Sequence, residues 1–310
     1  MGNDTVREIL PLVQRDVARC VADRQGKALL ESCDGATPHG KRNAARVRSS
    51  AGAAASSWML ATPGPTTRLG DHAFVVSGRH RLGTGIATTV TPPPCLCGAG
   101  CAASPDHAMV CKSVAKMTTL RHDILASAVR RVIARAGCAS SLEPTYRHLR
   151  SAHNSRGTEG QRRGDILAVL PTGKIAIVDV VVTHPCAQSY VAAASATTGA
   201  AAQKAADGKV REFRRFADAG QYDFVPFAVE SYGHLGVAAQ QFLKALGDIA
   251  SARGTVSKSA FVRSAYREVS CALQVGNGLM YGRSLFHIAR ASGRQFMAGC
   301  DVPVQEEGLV

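Results

Sequence analysis

A hairpin with acidic residues in its strands constrains this chain more than any other feature. Residues 162–185 read RRGDILAVLPTGKIAIVDVVVTHP, in which two runs rich in Val, Ile and Leu flank a Pro-Thr-Gly tripeptide. Such runs predict two short strands, and the Pro and Gly between them predict a tight turn. Asp165 opens the first predicted strand, and Asp179 lies inside the second. Because a buried carboxylate without a partner is costly, we expect Asp179 to be paired, hydrogen-bonded or metal-bound.

The two acids are spaced to act on one cation. Carboxylates on neighbouring strands can approach each other, and hard divalent cations such as Mg²⁺ take oxygen ligands. A cation held in this way can polarise a phosphodiester and activate water for hydrolysis. The hypothesis from the hairpin is therefore a nuclease metal site at Asp165 and Asp179.

The charge of the chain favours a polyanionic partner. The 310 residues include 37 Lys and Arg against 23 Asp and Glu, which gives a formal net charge of +14. Nucleic acid is the simplest partner for such a protein, and a generally basic protein without a specific partner is the alternative. No run approaches 18 apolar residues and the N-terminus lacks a secretory signal, so we expect an intracellular protein that does not span a membrane.

Cysteines are concentrated in one short segment. Four of the ten lie in CLCGAGCAASPDHAMVC at 95–111. In a basic chain without a secretory signal, this clustering indicates metal binding rather than disulfides, and thiolates with an imidazole suit tetrahedral zinc. A Cys-rich loop that binds no metal is the alternative. We predict four Zn²⁺ ligands, with Cys101 as the alternate: Cys95, Cys97, His107 and Cys111.

Apolar periodicity predicts an α+β fold, in which a small mixed sheet is flanked by helices. Residues 33–57 fit either a basic linker or a short helix, and 72–75 begin a short apolar element. Arg121 and His122 lie at the start of the clearest predicted helix. They are interpreted either as contacts to phosphate or to the site, or as solvated surface residues. Beside the hairpin we predict a strand at 224–229 and an extended segment from 142. The predicted helices are 4–32, 120–136, 200–217, 237–252, 259–275 and 279–291.

Several segments, taken in order, resemble the C-terminal part of a non-LTR retrotransposon polyprotein. In that family a CCHC zinc-knuckle-like segment precedes a restriction-like endonuclease of PD-(D/E)XK type. The likeness covers most of residues 45–290, and its specificity comes from the order and spacing of the segments together. They are SSWMLATPG (56–64), RHRLG (79–83), CLCG and DHAMVC (within 95–111), RHDILASAVRRVIARAG (121–137), EP (143–144), RRGDILAVL (162–170), KIAIVDVVVTHP (174–185), KVREF (209–213) and FVPFAVESYGHLG (224–236).

The resemblance implies a restriction-endonuclease-like core that nicks target DNA. Asp165 and Asp179 would hold a catalytic Mg²⁺, with Glu143 and Glu230 as candidate extra ligands, and Zn²⁺ would be structural. DNA and the element's RNA would be the partners, in the nucleus. The implied segments are a basic, mostly helical region (1–92), the zinc segment (93–118), the nuclease core (119–236), a helical extension (237–296) and a tail (297–310).

The chain departs from the family pattern at two positions near the acids. Gly164 precedes Asp165 where the family has Pro, and Val181 stands where the general nuclease motif has Lys. The resemblance makes Lys209, on the following helix, the best substitute, with Lys204 as second choice.

The acidic pair of a polymerase palm is absent from the sequence, so the reverse transcriptase portion of such an element would be missing from this chain. A relic of this kind need not be active. The alternatives are a degenerate remnant that binds nucleic acid without cleaving it, or a fragment without a selected function.

Overall fold

The computed structural model describes residues 20–84, 95, 97, 105–111, 115–142, 164–220, 222–254 and 256–291. Within these residues the fold is α+β, as predicted, with a four-stranded mixed sheet and many helices. Of the helix predicted at 4–32, the described part is helical from 20 to 31 and is here named α1. No described helix is long and apolar enough to cross a membrane.

The remaining elements follow in chain order, with a short 3₁₀ turn at Ser57–Leu60. The helices are α2 (Pro38–Ser50), α3 (Ala53–Ser56), α4 (Asp71–Leu82), α5 (Pro105–Val110), α6 (Ala115–Arg135), α7 (Val191–Ala196), α8 (Ala200–Gly220), α9 (Val237–Ala252) and α10 (Lys258–Ala291). The strands are β1 (Ala139–Leu142), β2 (Ile166–Val169), β3 (Ile175–Thr183) and β4 (Asp223–Glu230).

The predicted hairpin is confirmed as β2 and β3. These strands pair antiparallel, β1 pairs antiparallel with β2, and β4 pairs parallel with β3 at the other side. The turn closes with a hydrogen bond from Leu170 N to Lys174 O of 2.8 Å. Gly173 adopts φ 80° there, a conformation that glycine enters without a Cβ penalty. The parallel return to β4 is made through α7 and α8.

The two faces of β3 meet different partners because side chains alternate along a strand. Val178 and Val180 face the main core, which is built from the sheet, α6, α9 and α10. The alternate positions, which include Asp179 and Val181, face α8 on the other side of the sheet. Val181 packs there beside a smaller apolar cluster that contains Ala202 and Ala206 of α8 and Ala228 of β4.

Helix α10 is one continuous helix of 34 residues, so the two separate helices predicted at 259–275 and 279–291 are wrong. The break was expected at Gly276-Asn277-Gly278, yet both glycines lie inside the helix. A Cβ on Gly276 would come within 2.5 Å of the Arg121 side chain, and one on Gly278 within 2.9 Å of Ala73. These glycines therefore permit the close approach of α6 and α4 and do not end the helix. Helix α10 packs against α4, α5, α6 and α9.

The region before the cysteines is helical. Residues 33–57, predicted as a linker or a short helix, contain α2 and α3, and the element that begins at 72–75 is helix α4. Helix α2 begins with a cap, since Thr37 Oγ1 accepts a hydrogen bond from Gly40 N at 3.0 Å, and Pro38 occupies the first turn. Arg48 joins α2 to α7 through a hydrogen bond from its Nε to Ser195 O of 2.9 Å.

Candidate active site and metal centre

The hairpin brings Asp165 and Asp179 next to each other. Ile166 pairs with Val178 in the antiparallel register, so the preceding Asp165 lies beside the following Asp179. Asp165 Oδ2 accepts two hydrogen bonds, from Val180 N at 2.6 Å and from His122 Nε2 at 3.0 Å. The orientation of this carboxylate is therefore fixed by the neighbouring strand and by helix α6.

Asp179 is the more buried acid, with 2% of the residue exposed. Lys209 Nζ lies 2.9 Å from its Oδ2 as an ion pair. Burial, with the charge of Asp165 adding to it, raises the pKa of Asp179 to about 6, against the opposing effects of Lys209 and His122. Asp179 is thus a buried carboxylate whose ionised form is favoured by Lys209.

Lys209 reaches the acids because it lies on the sheet-facing side of α8. Ala202, Ala206 and Phe213 share that side at helical spacing and are all buried. Phe213 also stacks on Phe224 of β4, and Lys209 Nζ lies 5.7 Å from the centre of the Phe213 ring. Burial acts to lower the pKa of Lys209, but the carboxylates of Asp179, Glu212 and Asp165 together outweigh it, so the pKa is raised and the side chain stays charged.

Lys204, the second choice, lies outside this group. Its Nζ donates a hydrogen bond to Ser189 O at 2.9 Å and sits 5.3 Å from the centre of the Tyr190 ring. Between the two lysines, the structure therefore brings Lys209 to the acid pair. Val181, where the general motif has Lys, packs beneath the same helix.

His122 is a fourth member of the site. Its Nε2 contacts Asp165, and its Nδ1 lies 3.1 Å from Asp123 Oδ1, so the ring stands between two carboxylates. The hydrogen bond with Asp165 raises the pKa of His122 to about 9, despite partial burial. Arg121 points elsewhere: it is buried, and its Nη1 donates to Asn277 Oδ1 at 3.2 Å. Of the two residues singled out at this helix start, His122 belongs to the site.

Glu230 does not join the acid pair. It is the last residue of β4 and pairs with Thr183, whereas Asp179 pairs with Pro226 four positions earlier. At about 3.3 Å per residue, this places it on the order of 13 Å along the strand. Its Oε1 accepts a hydrogen bond from Ala202 N at 3.0 Å, which caps the N-terminus of α8. Glu143 lies outside the described residues.

The donor set at the acid pair suits a hard cation. Asp165 and Asp179 lie opposite each other on adjacent strands, and Asp179 is almost fully buried. Mg²⁺ is commonly held by one or two carboxylates, with water and substrate phosphate completing its octahedron. Asp165 and Asp179 can supply those two ligands.

Four Cys and His side chains form a separate candidate metal centre. One ligand atom from each of Cys95, Cys97, His107 and Cys111 lies within 4.8 Å of the others, and this set could hold a metal ion such as zinc. Cys95 Sγ is 3.5 Å from Cys111 Sγ, and Cys97 Sγ is 3.4 Å from His107 Nε2. A tetrahedral zinc site has separations of about 3.8 Å between sulfurs and about 3.6 Å between sulfur and nitrogen.

This Cys/His cluster is the predicted set of four, and the alternate Cys101 lies outside the described residues. Helix α5 positions His107, and Cys111 follows it by one helical turn. Cys95 and Cys111 are buried with Met280 and Tyr281 of α10 and with Val76 of α4. The cluster is therefore attached to the long helix and is not an isolated surface loop.

A third polar cluster was not predicted. Asp106, His184 and Cys186 also place one ligand atom each within 4.8 Å of the others. His184 Nε2 is 3.2 Å from Asp106 Oδ1, and Tyr232 donates a hydrogen bond to the same oxygen at 3.1 Å. These contacts join residues separated by 78 and 126 positions, so no local spacing indicates them.

No family model matches this chain, and no curated protein is significantly similar to it. The functional conclusion therefore depends on the geometry of the acid pair and on the charge of the chain.

Proposed function

We propose that this protein is a metal-dependent endonuclease that hydrolyses phosphodiester bonds of DNA. The observation that carries the proposal is the convergence of Asp165, Asp179 and Lys209, with the Lys209–Asp179 ion pair at 2.9 Å. Two acids on adjacent strands and a nearby cation are a set that can support metal-assisted phosphodiester hydrolysis. The net charge of +14 supports a nucleic-acid substrate.

The proposed origin rests on the sequence resemblance. The chain would be the restriction-like endonuclease portion of a non-LTR retrotransposon protein, without its polymerase core, and would nick target DNA in the nucleus. The element's RNA would be a second partner. The Cys/His cluster, holding a structural Zn²⁺, would help to grip nucleic acid.

Each residue of the site would have a separate role in hydrolysis. Asp165 and Asp179 would hold Mg²⁺, which when bound polarises the phosphodiester and lowers the pKa of a bound water. Val180 N and His122 fix the orientation of Asp165 through the two hydrogen bonds to its Oδ2. Lys209 would keep Asp179 ionised, orient the attacking water and offset charge that develops on the phosphate.

The test is plasmid nicking by the purified full chain in Mg²⁺. Asp179→Asn keeps the size of the side chain and removes its charge, so we expect nicking to fall below detection while the protein stays folded. Asp248→Asn is the matched control, because Asp248 pairs with Lys258 on an exposed surface of α9 and α10. Nicking by Asp179→Asn at the wild-type rate would exclude the assigned site, and an inert wild type across several divalent metals and DNA substrates would exclude the activity.

The second candidate function is nucleic-acid binding without cleavage. Position 181 favours it, because Val stands where the general motif places Lys. Fluorescence anisotropy with labelled DNA separates the two functions. Binding that survives Asp165→Asn and Asp179→Asn, with no cleavage by the wild type, would identify a binding module.

A further inference from the structure

The third cluster lies where the Cys/His segment meets the ends of the central strands. Asp106 precedes His107 on α5, His184 and Cys186 follow β3, and Tyr232 follows β4. His184 and Cys186 are each 5% exposed and Tyr232 is 3% exposed, so the cluster is largely closed to water. Neither the proposed cleavage nor the Cys/His cluster uses these side chains as ligands.

We propose that Asp106, His184 and Cys186 form a second metal site, distinct from the Cys/His cluster, for a borderline divalent transition metal such as Zn²⁺. One oxygen, one nitrogen and one sulfur donor converge within 4.8 Å. A mixed set with a thiol and an imidazole suits Zn²⁺ or Co²⁺, whereas Mg²⁺ and Ca²⁺ prefer oxygen donors alone.

The separation of the oxygen and nitrogen donors agrees with tetrahedral coordination. Asp106 Oδ1 and His184 Nε2 are 3.2 Å apart, and ligands at zinc–oxygen and zinc–nitrogen bond lengths are about 3.3 Å apart in a tetrahedron. The Tyr232 hydroxyl lies 3.1 Å from Asp106 Oδ1 and 3.7 Å from Cys186 Sγ. It therefore contacts two of the three donors from a further side of the cluster.

The other ring nitrogen of His184, Nδ1, makes a hydrogen bond of the kind that orients histidine ligands in many metal sites. His184 Nδ1 is 2.7 Å from Ser231 Oγ, and Ser231 is fully buried. Ser231 is itself fixed, since its backbone N donates to Thr183 O at 2.7 Å and its carbonyl accepts from Asn277 at 2.8 Å. With Nδ1–H donating to Ser231, the Nε2 lone pair faces the Asp106 carboxylate, an arrangement that suits a shared cation.

Arg42 is a weak cationic partner of Asp106. Arg42 Nε is 4.0 Å from Asp106 Oδ2, and its side chain is 56% exposed. Without an ion, hydrogen bonds from Tyr232 and from the Nε2–H tautomer of His184 would satisfy Asp106, and the Cys186 thiol would donate to Arg42 O at 3.4 Å. These contacts are compatible with a cluster that holds a metal ion and with one that does not. The metal content of the protein distinguishes the two.

The test counts metal ions in the full-length protein. After zinc loading and dialysis against metal-free buffer without a chelator, elemental analysis should give two zinc ions per chain. Cys186→Ser and Cys97→Ser should each leave one, and the double variant should leave none. Cys138→Ser is the matched control, because Cys138 is buried in the main core outside both clusters, and it should retain two. One zinc in the wild type, kept by Cys186→Ser and lost by Cys97→Ser, would overturn the proposal.

A second variant avoids loss of a ligand. Ser231→Ala removes the hydrogen bond to His184 Nδ1 but keeps all three ligands, and such changes weaken metal binding about 10–100-fold. Competition with a chromophoric zinc chelator should show that weakening for one of the two ions, with circular dichroism as the check on folding. Two ions bound with wild-type affinity in folded Ser231→Ala would contradict the assignment. None of these measurements depends on nicking, so they fail or succeed independently of the proposed nuclease activity.

Discussion

The acid pair and the Cys/His cluster differ in what their buried polar atoms contact. At the acid pair the protein supplies its own cations, since Lys209 faces Asp179 and His122 faces Asp165. In the Cys/His cluster the four donor atoms converge on one another within 4.8 Å. The first arrangement is ordered by contacts within the protein, whereas the second places four donors where they could hold a metal ion. Metal at the cluster should therefore control stability, and metal at the acid pair should control activity.

Removal of zinc should have the largest effect. Structural zinc sites contribute directly to folding, and the Cys/His cluster packs on the buried Met280 and Tyr281 of α10. We expect 1,10-phenanthroline, or Cys111→Ser, to lower the unfolding free energy by several kcal/mol and the Tm by on the order of 10 °C. Omission of Mg²⁺ should lower the Tm far less, since a weakly held ion stabilises the folded state only slightly. An equal response to both treatments, measured by differential scanning calorimetry, would remove the contrast between the sites.

Loss of the Lys209 ammonium should have the next largest effect, and it should change the nicking rate rather than folding. Lys209→Ala leaves Asp179 buried without its partner, which raises the pKa of that carboxyl further and weakens it as a metal ligand. Nicking should fall by roughly 10²- to 10³-fold. Lys204→Ala removes the same charge from the same helix but outside the acid pair, and should nick at close to the wild-type rate. Equal losses in both variants would indicate a general charge effect on DNA binding.

Much of the fold could be predicted because its elements have strong local signals. The hairpin follows from two β-branched runs around a Pro-Thr-Gly turn, and α9 begins and ends at the predicted residues, Val237 and Ala252. The continuity of α10 could not be predicted, since Gly276 and Gly278 are helix breakers by propensity alone. Their role emerges only when α6 and α4 pack against them.

The candidate site could be predicted where its residues form an unusual pattern within a short segment of sequence. An Asp inside an apolar strand and a dense group of Cys and His each stand out in the sequence, and Lys209 came from the family resemblance. The partners of these residues do not stand out. His122 meets Asp165 across 43 residues, and Asp106 meets His184 across 78, so only the packing of α6 and α5 on the strands reveals them.

Ionisation of Asp179 should lower the stability of the folded protein as pH rises. The folded pKa of Asp179, about 6, is raised from its ordinary value of 3.8, so its contribution is fully present below pH 3.8 and is lost as pH rises through 6. The shift corresponds to at most about 3 kcal/mol at neutral pH. Asp179→Asn should therefore be more stable than the wild type by about 1–3 kcal/mol at pH 7, and the difference should shrink toward pH 4. Urea unfolding in Mg²⁺-free buffer measures it, and a less stable variant at pH 7 would contradict the prediction.

His122 offers the smallest and most selective test of the contrast. Its folded pKa of about 9 is raised from 6.5, so the stability that it contributes is complete below pH 6.5 and is lost as pH rises through 9. His122→Ala should remove that pH dependence and release one of the two hydrogen bonds that orient Asp165. Since the Val180 hydrogen bond remains, nicking should fall by only about 10-fold, chiefly through a higher Mg²⁺ requirement.

His122→Gln distinguishes orientation from charge. Glutamine keeps an N–H donor of similar reach but cannot become a cation. If the hydrogen bond positions Asp165, His122→Gln should recover most of the nicking lost in His122→Ala, while the stability change between pH 6.5 and 9 stays absent. If both variants lose nicking equally, the positive charge of His122 matters more than its hydrogen bond. The acid pair would then depend on two protein cations for catalysis, Lys209 and His122, and its difference from the Cys/His cluster would be greater than the hydrogen bonds alone indicate.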